Sequence, residues 1–315
     1  MAKLKIAKYW ADGCGGCDVS LLDTDAKILD VAKIADIVFW PIAVDGKYHD
    51  LEGMKPGEID LTFFNGAIHT SEHEHIAQLM REKSKILVAY GSCACMGGIP
   101  SLANSTDRES IFEWVYHLAP SNDNPRGVEP QTRTKVPEGV LSLPMLYEKV
   151  KRLDEAVEVD YYLPGCPPYY KRVAEVIDVI ASGKLPPKGA VVGAKSKALC
   201  EECPRERHEK KVKEFKRPQF AQDDGKTCLL EQGIVCVGVA TRGGCEARCI
   251  NANMPCRGCY GALPEAIDQG ASALSAVASI IDSNDPKEIE KVVNQIVDPL
   301  GTFYRFGLPA QRVRM

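Results

Sequence analysis

The residues of this sequence with the clearest chemical potential are its 13 cysteines. Two of them, Cys14 and Cys17, form the segment CGGC directly after an apolar run. A C-x2-C pair is found in redox-active dithiols, in zinc sites and in iron–sulfur sites, and the local sequence leaves all three open. The positions of the other cysteines are needed to choose among them.

Two single cysteines follow later strand-like runs. Cys93 stands just after Ile86–Tyr90, and Cys166 stands just after Val159–Leu163. The carboxyl ends of parallel strands meet at one edge of a sheet, where sites form, so we expect these thiols to converge with the CGGC pair. A redox dithiol would need no such additional cysteines. Four thiolates suit zinc or a 4Fe–4S cluster, although structural zinc sites more often draw on two local pairs.

Eight further cysteines lie between residues 200 and 259 and divide into two sets of four. In chain order they are Cys200, Cys203, Cys228 and Cys236, followed by Cys245, Cys249, Cys256 and Cys259. Together with the four strand-end thiols they predict three 4Fe–4S clusters, each on four cysteines, which is the arrangement of an electron-transfer chain. Cys95 is left over. We interpret it as a buried, unligated thiol because free cysteine behaves as a small hydrophobe.

Glycines surround the strand-end cysteines. Because they lack a Cβ, they can adopt positive φ and let the backbone approach a ligand closely. Their amides are expected to donate hydrogen bonds to cluster sulfurs. The positions concerned are Gly13, Gly15, Gly16, Gly91, Gly97, Gly98 and Gly165.

Histidines add no second ligand set to this pattern. His69, His73 and His75 cluster near a predicted helix start, but residues two apart do not share a helix face, so we interpret them as surface or interface residues. His208 follows Cys203 by five positions and would compete as a ligand only if the nearby thiolate set were incomplete.

The segments that must position the thiols alternate between strand-like and helix-like patterns. Such alternation predicts an α/β fold with a doubly wound, mostly parallel sheet. The predicted strands are Leu4–Trp10, Ile37–Trp40, Ile59–Phe64, Ile86–Tyr90 and Val159–Leu163, and the predicted helices are a segment through Val19, Leu22, Ala26 and Leu29, then Ser71–Lys83, Asp107–Leu118 and Tyr169–Ala181.

The sequence changes character at residues 183–193, GKLPPKGAVVG, which indicates a connection. We therefore predict two domains, 1–190 and 191–315. The second has weak periodicity as far as residue 259, so bound metal is expected to supply part of its folding energy, and helical patterns follow at 263–281 and 289–296. In the first domain, the proline-rich stretch 120–139 is predicted to be a long loop, either a surface excursion or a partner contact.

Composition excludes several classes of function. The chain has 315 residues and a formal net charge of −4, so no overall basic field attracts nucleic acid. The basic run 205–217 is interpreted as a solvated or partner-facing segment. Neither an export signal nor an apolar stretch of the roughly 20 residues that a membrane span needs is present, so we expect a cytoplasmic protein that binds no membrane. In that reducing compartment, 13 cysteines favour metal ligation over disulfides.

Taken together, these motifs resemble the small subunit of nickel–iron hydrogenases over essentially the whole chain. The matching segments are CGGC, GSCACMGGIP, PGCPP, the pair Cys200-x2-Cys203 and the closing PCRGC. The resemblance implies a flavodoxin-like first domain that carries the cluster nearest the nickel site, and a smaller cysteine-rich iron–sulfur domain with C-terminal helices. It assigns Cys14, Cys17, Cys93 and Cys166 to the proximal cluster, Cys245, Cys256 and Cys259 to the medial cluster, and Cys200, Cys203, Cys228 and Cys236 to the distal cluster. Cys249 is added to the medial set as its fourth thiolate.

Two departures from many relatives narrow the resemblance. In many relatives the first ligand of the distal cluster is a histidine, and Cys200 stands at that position here. Many relatives also have a proline in place of one medial ligand and so hold a three-iron cluster, whereas here Cys249 can supply the fourth thiolate. Both features resemble the cytoplasmic, methyl-viologen-reducing (deazaflavin-non-reducing) hydrogenases of methanogenic archaea, which feed electrons to heterodisulfide reductase. Asn65, in FFNGAIH, stands where many relatives have glutamate, so no role is carried over to that position.

The resemblance implies electron transfer within a hydrogenase, an oxidoreductase acting on dihydrogen. The chain lacks the terminal C-x2-C pairs with which the family's large subunit binds nickel and iron. A large-subunit partner would therefore carry the nickel–iron centre that splits dihydrogen, and this chain would carry no catalytic residue. Electrons would pass from the proximal to the medial and distal clusters, then to an iron–sulfur acceptor subunit linked to heterodisulfide reductase and ferredoxin.

Three alternatives remain open. The small subunit of a deazaflavin-reducing or sulfur-reducing hydrogenase would show similar motifs. The quinone-reductase subunit of respiratory complex I resembles the first domain, but it typically carries tandem cysteines and one cluster. From a different class, a zinc-stabilised interaction module would also need paired cysteines, and it would be colourless where an iron–sulfur protein is brown.

Overall fold

The computed structural model describes residues 3–209 and 211–310, and a five-stranded sheet lies at its centre. The strands are, in chain order, β1 (Leu4–Trp10), β2 (Ala35–Phe39), β3 (Ile59–Asn65), β4 (Ile68–Thr70), β5 (Ser84–Tyr90), β6 (Arg133–Val136), β7 (Gly139–Ser142), β8 (Leu146–Lys151) and β9 (Tyr161–Leu163). The central sheet has the order β2-β1-β3-β5-β9, and each neighbouring pair is parallel. Numbered along the chain, that order is the 2-1-3-4-5 of flavodoxin-like folds, which confirms the predicted class.

Short helices connect the strands and make up much of the remaining chain. In chain order they are α1 (Gly16–Leu22), α2 (Lys27–Ile34), α3 (Tyr48–Gly53), α4 (Ser71–Lys83), α5 (Ser92–Met96), α6 (Arg108–Glu113), α7 (Tyr170–Ala181), α8 (Arg248–Asn251), α9 (Gln269–Ala278), α10 (Pro286–Val293) and α11 (Pro299–Phe303). The bounds of β1 and α4 are those predicted from the sequence. Across the described residues, no helix combines the length and the apolar character that crossing a bilayer requires.

Helices cover both faces of the central sheet. Leu87 of β5 is buried on one face in the same core cluster as Met80 of α4. The next residue, Val88, is buried on the other face with Val173 of α7. Successive side chains of a strand point to opposite faces, so strands buried on both faces are continuously apolar. The predicted doubly wound arrangement is therefore confirmed.

The helix predicted after Cys17 is wrong in one respect, because the chain forms two helices there. α1 ends at Leu22 and α2 begins at Lys27, with Asp25 between them at φ +54°. A left-handed residue interrupts the helical hydrogen-bond pattern. Val19 and Leu22 are exposed, at 55% and 52% of their surface, so the apolar spacing on α1 does not mark a buried face.

The segment between α6 and β8 also differs from the prediction. The helix predicted over Asp107–Leu118 is α6 followed by a wider turn, Trp114–Leu118. The predicted loop 120–139 contains β6 and leads into β7, and these two strands form an antiparallel hairpin. Both strands are largely exposed. Their sequences therefore lack the alternation of apolar and polar residues from which a strand could be predicted.

The second region packs onto the carboxyl edge of the sheet. Among the described residues of 200–259 the helical elements are short turns, in keeping with the weak periodicity of the sequence, yet they share a buried core with α9 and α10 that includes Leu230, Ile234 and Val277. Ser92 Oγ donates to the Cys259 carbonyl at 2.7 Å, and the Gly98 amide donates to the Phe306 carbonyl at 2.9 Å. These contacts attach the cysteine-rich region directly to the edge that carries the first thiols.

The C-terminal helical patterns are confirmed with shifted bounds. α9 begins only at Gln269, where the Asp268 carboxylate accepts from the Ala271 amide at 2.9 Å, so the predicted start near residue 263 is wrong. α10 corresponds to the second pattern, and α11 was not predicted. Residues 210 and 311–315 of the predicted second domain lie outside the described residues.

Candidate metal centres

The four strand-end cysteines lie at the carboxyl edge of the central sheet. Cys14 follows β1, Cys17 lies in the first turn of α1, Cys93 lies in α5 and Cys166 follows β9. Burial, with a contribution from the thiols of Cys166 and Cys14, raises the pKa of Cys93 to about 12. Burial also raises the pKa of Cys17, with contributions from Cys93 and Cys166. The structure therefore brings these four thiols within electrostatic range of one another.

Two glycines bring the backbone directly against these sulfurs. Gly91 has φ +88°, and a Cβ there would collide with Sγ of Cys17. Gly98 has φ +60°, and a Cβ there would collide with Sγ of Cys93. Positive φ is found at five of the predicted positions, Gly15, Gly91, Gly97, Gly98 and Gly165, but not at Gly13 or Gly16.

The set of Cys200, Cys203, Cys228 and Cys236 lies in the second region. Burial raises the pKa of Cys236 to about 11, and the thiols of Cys200 and Cys228 contribute. The amides of Gly238 and Cys256 donate to the Cys236 sulfur and oppose that rise. These three thiols of the set are thus drawn together, and Cys203 follows the short helical turn that holds Cys200.

A buried ion pair orders the loop that joins the two halves of this set. Arg205 Nη1 and Nη2 donate to the two carboxylate oxygens of Asp223 at 2.6 and 2.7 Å. Arg205 also donates to the Thr227 carbonyl at 3.2 Å and to Asn253 Oδ1 at 3.1 Å. Arg205 therefore fixes the chain between Cys203 and Cys228, although the sequence analysis placed it only in a solvated basic run.

The set of Cys245, Cys249, Cys256 and Cys259 lies between the other two. Burial raises the pKa of Cys259 to about 12, and the thiols of Cys245, Cys166 and Cys249 contribute. Burial raises the pKa of Cys256 well above its ordinary value, with contributions from Cys236 and Cys259. Cys259 therefore faces the strand-end set through Cys166, and Cys256 faces the remaining set through Cys236.

The donor sets fit iron–sulfur clusters. Backbone amides donate to several of the sulfurs, including those of Cys93, Cys236 and Cys245, and such hydrogen bonds help to set cluster potentials. Because burial favours the protonated thiols, metal ligation must displace their protons. Within residues 3–209 and 211–310, no three His, Cys, Asp or Glu side chains lie close enough to share a single metal ion.

Cys95 is buried, as predicted, although its thiol lies within electrostatic range of Cys17 and Cys93. It belongs to the core cluster that contains Leu87 and Met80, and its Sγ lies 3.2 Å from the Ala89 carbonyl. Burial raises the pKa of its thiol well above the ordinary value. This environment is that of a small apolar side chain.

The histidines are only partly where the sequence analysis put them. His75 is exposed, but His69 and His73 are half-buried, and His69 Nδ1 lies 2.9 Å from Asp12 Oδ2. The amide of His208 donates to the carboxylate of Glu231 at 2.8 Å, and its ring is exposed. None of these observations adds a histidine to a thiol set.

Sequence reasoning missed a buried ion pair beneath Cys17. Lys8 Nζ lies 3.6 Å from Asp18 Oδ1, with side chains only 1% and 4% exposed. Burial lowers the pKa of Lys8 to about 8, against the opposing effect of Asp18 and Cys17. The available signal was a lysine in the middle of residues 6–9, a run that is otherwise apolar and buried.

The sequence and the fold were compared with those of known proteins. Residues 14–180 match the family described as NADH ubiquinone oxidoreductase, 20 Kd subunit. The chain is 41% identical to the iron-sulfur subunit of the F420-non-reducing hydrogenase of Archaeoglobus profundus, over 98% of both chains. It is 37% identical to the corresponding F420-non-reducing hydrogenase chain of Methanothermobacter marburgensis, over 99% of this chain and 97% of the relative. Among solved structures, a chain of an NAD+-reducing NiFe-hydrogenase in the H2-reduced state is 32% identical, over 59% of this chain and 94% of that chain, with a TM-score of 0.48.

Proposed function

The chain belongs to the family of nickel–iron hydrogenase small subunits that includes these F420-non-reducing hydrogenase chains, and from that membership we propose a specific electron-transfer role. In this proposal it relays electrons from dihydrogen oxidation through three 4Fe–4S clusters to an acceptor subunit. The dihydrogen-splitting site lies in the large subunit of such enzymes, so this chain supplies transfer and not the bond cleavage itself. When bound, each cluster accepts and donates one electron at a time.

The linear order of the three thiol sets carries this proposal. Cys166 of the strand-end set and Cys259 of the middle set act on each other electrostatically. Cys256 of the middle set does the same with Cys236. This order supports a path from the proximal set through the medial set to the distal set, each with the four cysteines named above. The proposed division near residue 190 is supported by the buried cores, since Val192 still packs against the sheet and the core of the second region begins at Leu199.

The face around the strand-end set supports docking of the large subunit. Cys14 and Cys166 are exposed. Large apolar side chains beside them, Trp10, Val19 and Leu22, are exposed as well. Apolar side chains grouped on a surface mark sites of association, and here Trp10 packs against the loop that carries Cys14.

The onward partner is proposed from the resemblance alone. We propose an iron–sulfur acceptor subunit that leads to heterodisulfide reductase and ferredoxin in the cytoplasm. The names of the two curated relatives favour this over a deazaflavin-reducing enzyme, because both are described as F420-non-reducing.

Metal analysis of the anaerobically purified complex tests the function. We expect about twelve irons on this chain, four for each of three clusters, and a brown colour that bleaches with dithionite. A Cys14→Ser variant should lose hydrogen-driven viologen reduction, because the first acceptor is removed. A colourless, zinc-containing protein would instead identify the interaction module. Full hydrogen-driven activity of an intact Cys14→Ser complex would contradict the proximal assignment.

A further inference from the structure

A charged pair is buried directly under the strand-end thiols. Lys8 lies near the middle of β1, and Asp18 lies in the first turn of α1, next to Cys17. Their side chains are almost fully buried, with Nζ and Oδ1 3.6 Å apart. Removing two charges from water is costly, and apolar replacements of such pairs are often neutral or stabilising. A pair kept at this depth therefore indicates a role besides stability.

Asp18 has hydrogen-bond partners independent of Lys8. Trp40 Nε1 donates to Asp18 Oδ1 at 2.9 Å, and Asn65 Nδ2 donates to Oδ2 at 3.1 Å. Asn65 Oδ1 is buried and, among the described residues, has no hydrogen-bond partner. The carboxylate is thus held in place by an indole and an amide, whether or not the lysine is present.

Lys8 is directed toward the Cys17 side of the pocket. Its Nζ lies 3.4 Å from the Cys17 carbonyl oxygen and 4.1 Å from the centre of the Tyr90 ring. Tyr90 OH lies 2.8 Å from Ser20 Oγ, which donates to the same carbonyl at 3.0 Å. Of the charges that act on the Cys17 thiol, Lys8 has the largest effect and Asp18 a smaller one. The ammonium group therefore lies against the backbone of Cys17, on the side of the pocket that faces the thiols.

We propose that Lys8 raises the reduction potential of the cluster assigned to Cys14, Cys17, Cys93 and Cys166, and that Asp18 limits that rise. The inference rests on the proposed function. One-electron reduction adds one negative charge to the cluster and requires no proton. A nearby ammonium stabilises that charge and a nearby carboxylate opposes it, most strongly where water is excluded. Lys8 is a positioning charge in this proposal and not a ligand.

Two substitutions of opposite sign distinguish this role from a structural one. Lys8→Met removes the positive charge and keeps an unbranched side chain. Asp18→Asn removes the negative charge and can retain the Trp40 hydrogen bond. The Asn65 amide can then rotate and offer its unpartnered Oδ1 to the new Asn amide. A loss of packing would shift the potential irrespective of the charge removed, whereas an electrostatic role requires shifts in opposite directions.

The measurement is a potentiometric titration of the purified complex, monitored by electron paramagnetic resonance. The strand-end cluster is identified by the signal that Cys14→Ser removes. At a fixed potential, Lys8→Met should lower the reduced-to-oxidised ratio of this cluster at least tenfold, which is 59 mV for one electron. Asp18→Asn should raise the ratio, and the double variant should fall between Lys8→Met and the unchanged protein.

Lys83→Met is the matched control. Lys83 is also buried, but it ends α4 at the amino end of β5, the opposite edge from the thiols, and it pairs with Glu82. Lys83→Met should leave the reduction potential of the strand-end cluster unchanged. None of these variants should change the potentials of the other two clusters. The inference would be overturned if Lys8→Met and Asp18→Asn left the strand-end potential unchanged, or if both moved it in the same direction. If Lys8→Met does not assemble, a potential that fails to rise in Asp18→Asn overturns it alone. Absence of iron from the strand-end set of the unchanged protein would overturn the proposed function as well.

Discussion

Gly91→Ala should remove one cluster and leave the fold intact. Gly91 has φ +88° and ψ 162°, a conformation essentially reserved for glycine. Holding alanine there costs about 1–3 kcal/mol, a tolerable fraction of the roughly 5–15 kcal/mol that stabilises an ordinary domain. The variant is therefore expected to fold, with a lowered free energy of unfolding.

A steric clash with Cys17 is the reason why Gly91→Ala should lose the strand-end cluster. The new Cβ would collide with Sγ of Cys17, whereas non-bonded heavy atoms rest about 3.5–4 Å apart. The sulfur or the backbone must move by on the order of 1 Å to relieve that contact. Metal–ligand distances tolerate only about 0.2 Å. We therefore expect the iron content to fall from about twelve to about eight, with the two clusters of the second region retained.

Gly57→Ala separates the collision from the backbone strain. Gly57 also has positive φ, at +68°, but a Cβ there would meet nothing closer than Lys85 Cγ at 3.9 Å. This variant should lose about 1–2 kcal/mol of stability and keep about twelve irons. Iron analysis and electron paramagnetic resonance of both variants, alongside thermal unfolding, provide the assay. Full iron content with an unchanged strand-end signal in Gly91→Ala would refute the argument that Gly91 makes room for a ligating sulfur.

Two further predictions concern the second and third thiol sets. Cys249→Pro should leave three thiolates and give a three-iron signal, whereas Cys95→Ser should change neither iron content nor cluster type; a three-iron signal from Cys95→Ser alone would reverse the two assignments. Asp223→Asn should lower the free energy of unfolding by about 1.5–3 kcal/mol, because it removes a charge-assisted hydrogen bond from Arg205. Arg205 holds the pKa of Asp223 below its ordinary range, so this stabilisation is full above pH of about 3.9 and is lost as the pH falls toward the folded pKa. A stability difference between the two proteins that persists unchanged well below that pH would argue against the pair as its source.

Most of the sheet could be predicted from the sequence because its inner strands are short apolar runs buried on both faces, whereas the edge strand β2 exposes Asp36 and Ile37. β1 and β3 were recognisable for that reason, and α4 also had a clear start at Thr70, whose Oγ1 accepts from the His73 amide at 3.2 Å. The β6–β7 hairpin was not recognisable, because both of its strands are largely exposed. Where burial does not constrain side chains, periodicity carries no information about structure.

The thiol sites, too, could be predicted from the sequence only in part. Their grouping in fours could be proposed from the order of the cysteines and the ends of the strands, since both are properties of the chain itself. The buried partners could not. Lys8 meets Asp18 only because β1 and α1 pack together, and Arg205 meets Asp223 only through the fold of a loop. Candidate ligands can be recognised by residue type alone. The charged residues that act on the ligands or order the loops between them can be recognised only from contacts between distant parts of the chain.

The burial of the thiols links cluster binding to the folding of the second region. Burial raises the pKa of Cys236 to about 11 and that of Cys259 to about 12. Near neutral pH these groups carry protons when no metal is bound, and ligation must displace them. The described residues of 200–259 form short helical turns and no longer helix or ladder, so few backbone hydrogen bonds of regular structure hold them in place. The central sheet has its own two-sided core and needs no metal to complete it. If the clusters are bound as proposed, their loss should loosen the second region first and leave the sheet folded, and the far-ultraviolet circular dichroism of iron-depleted protein would test this.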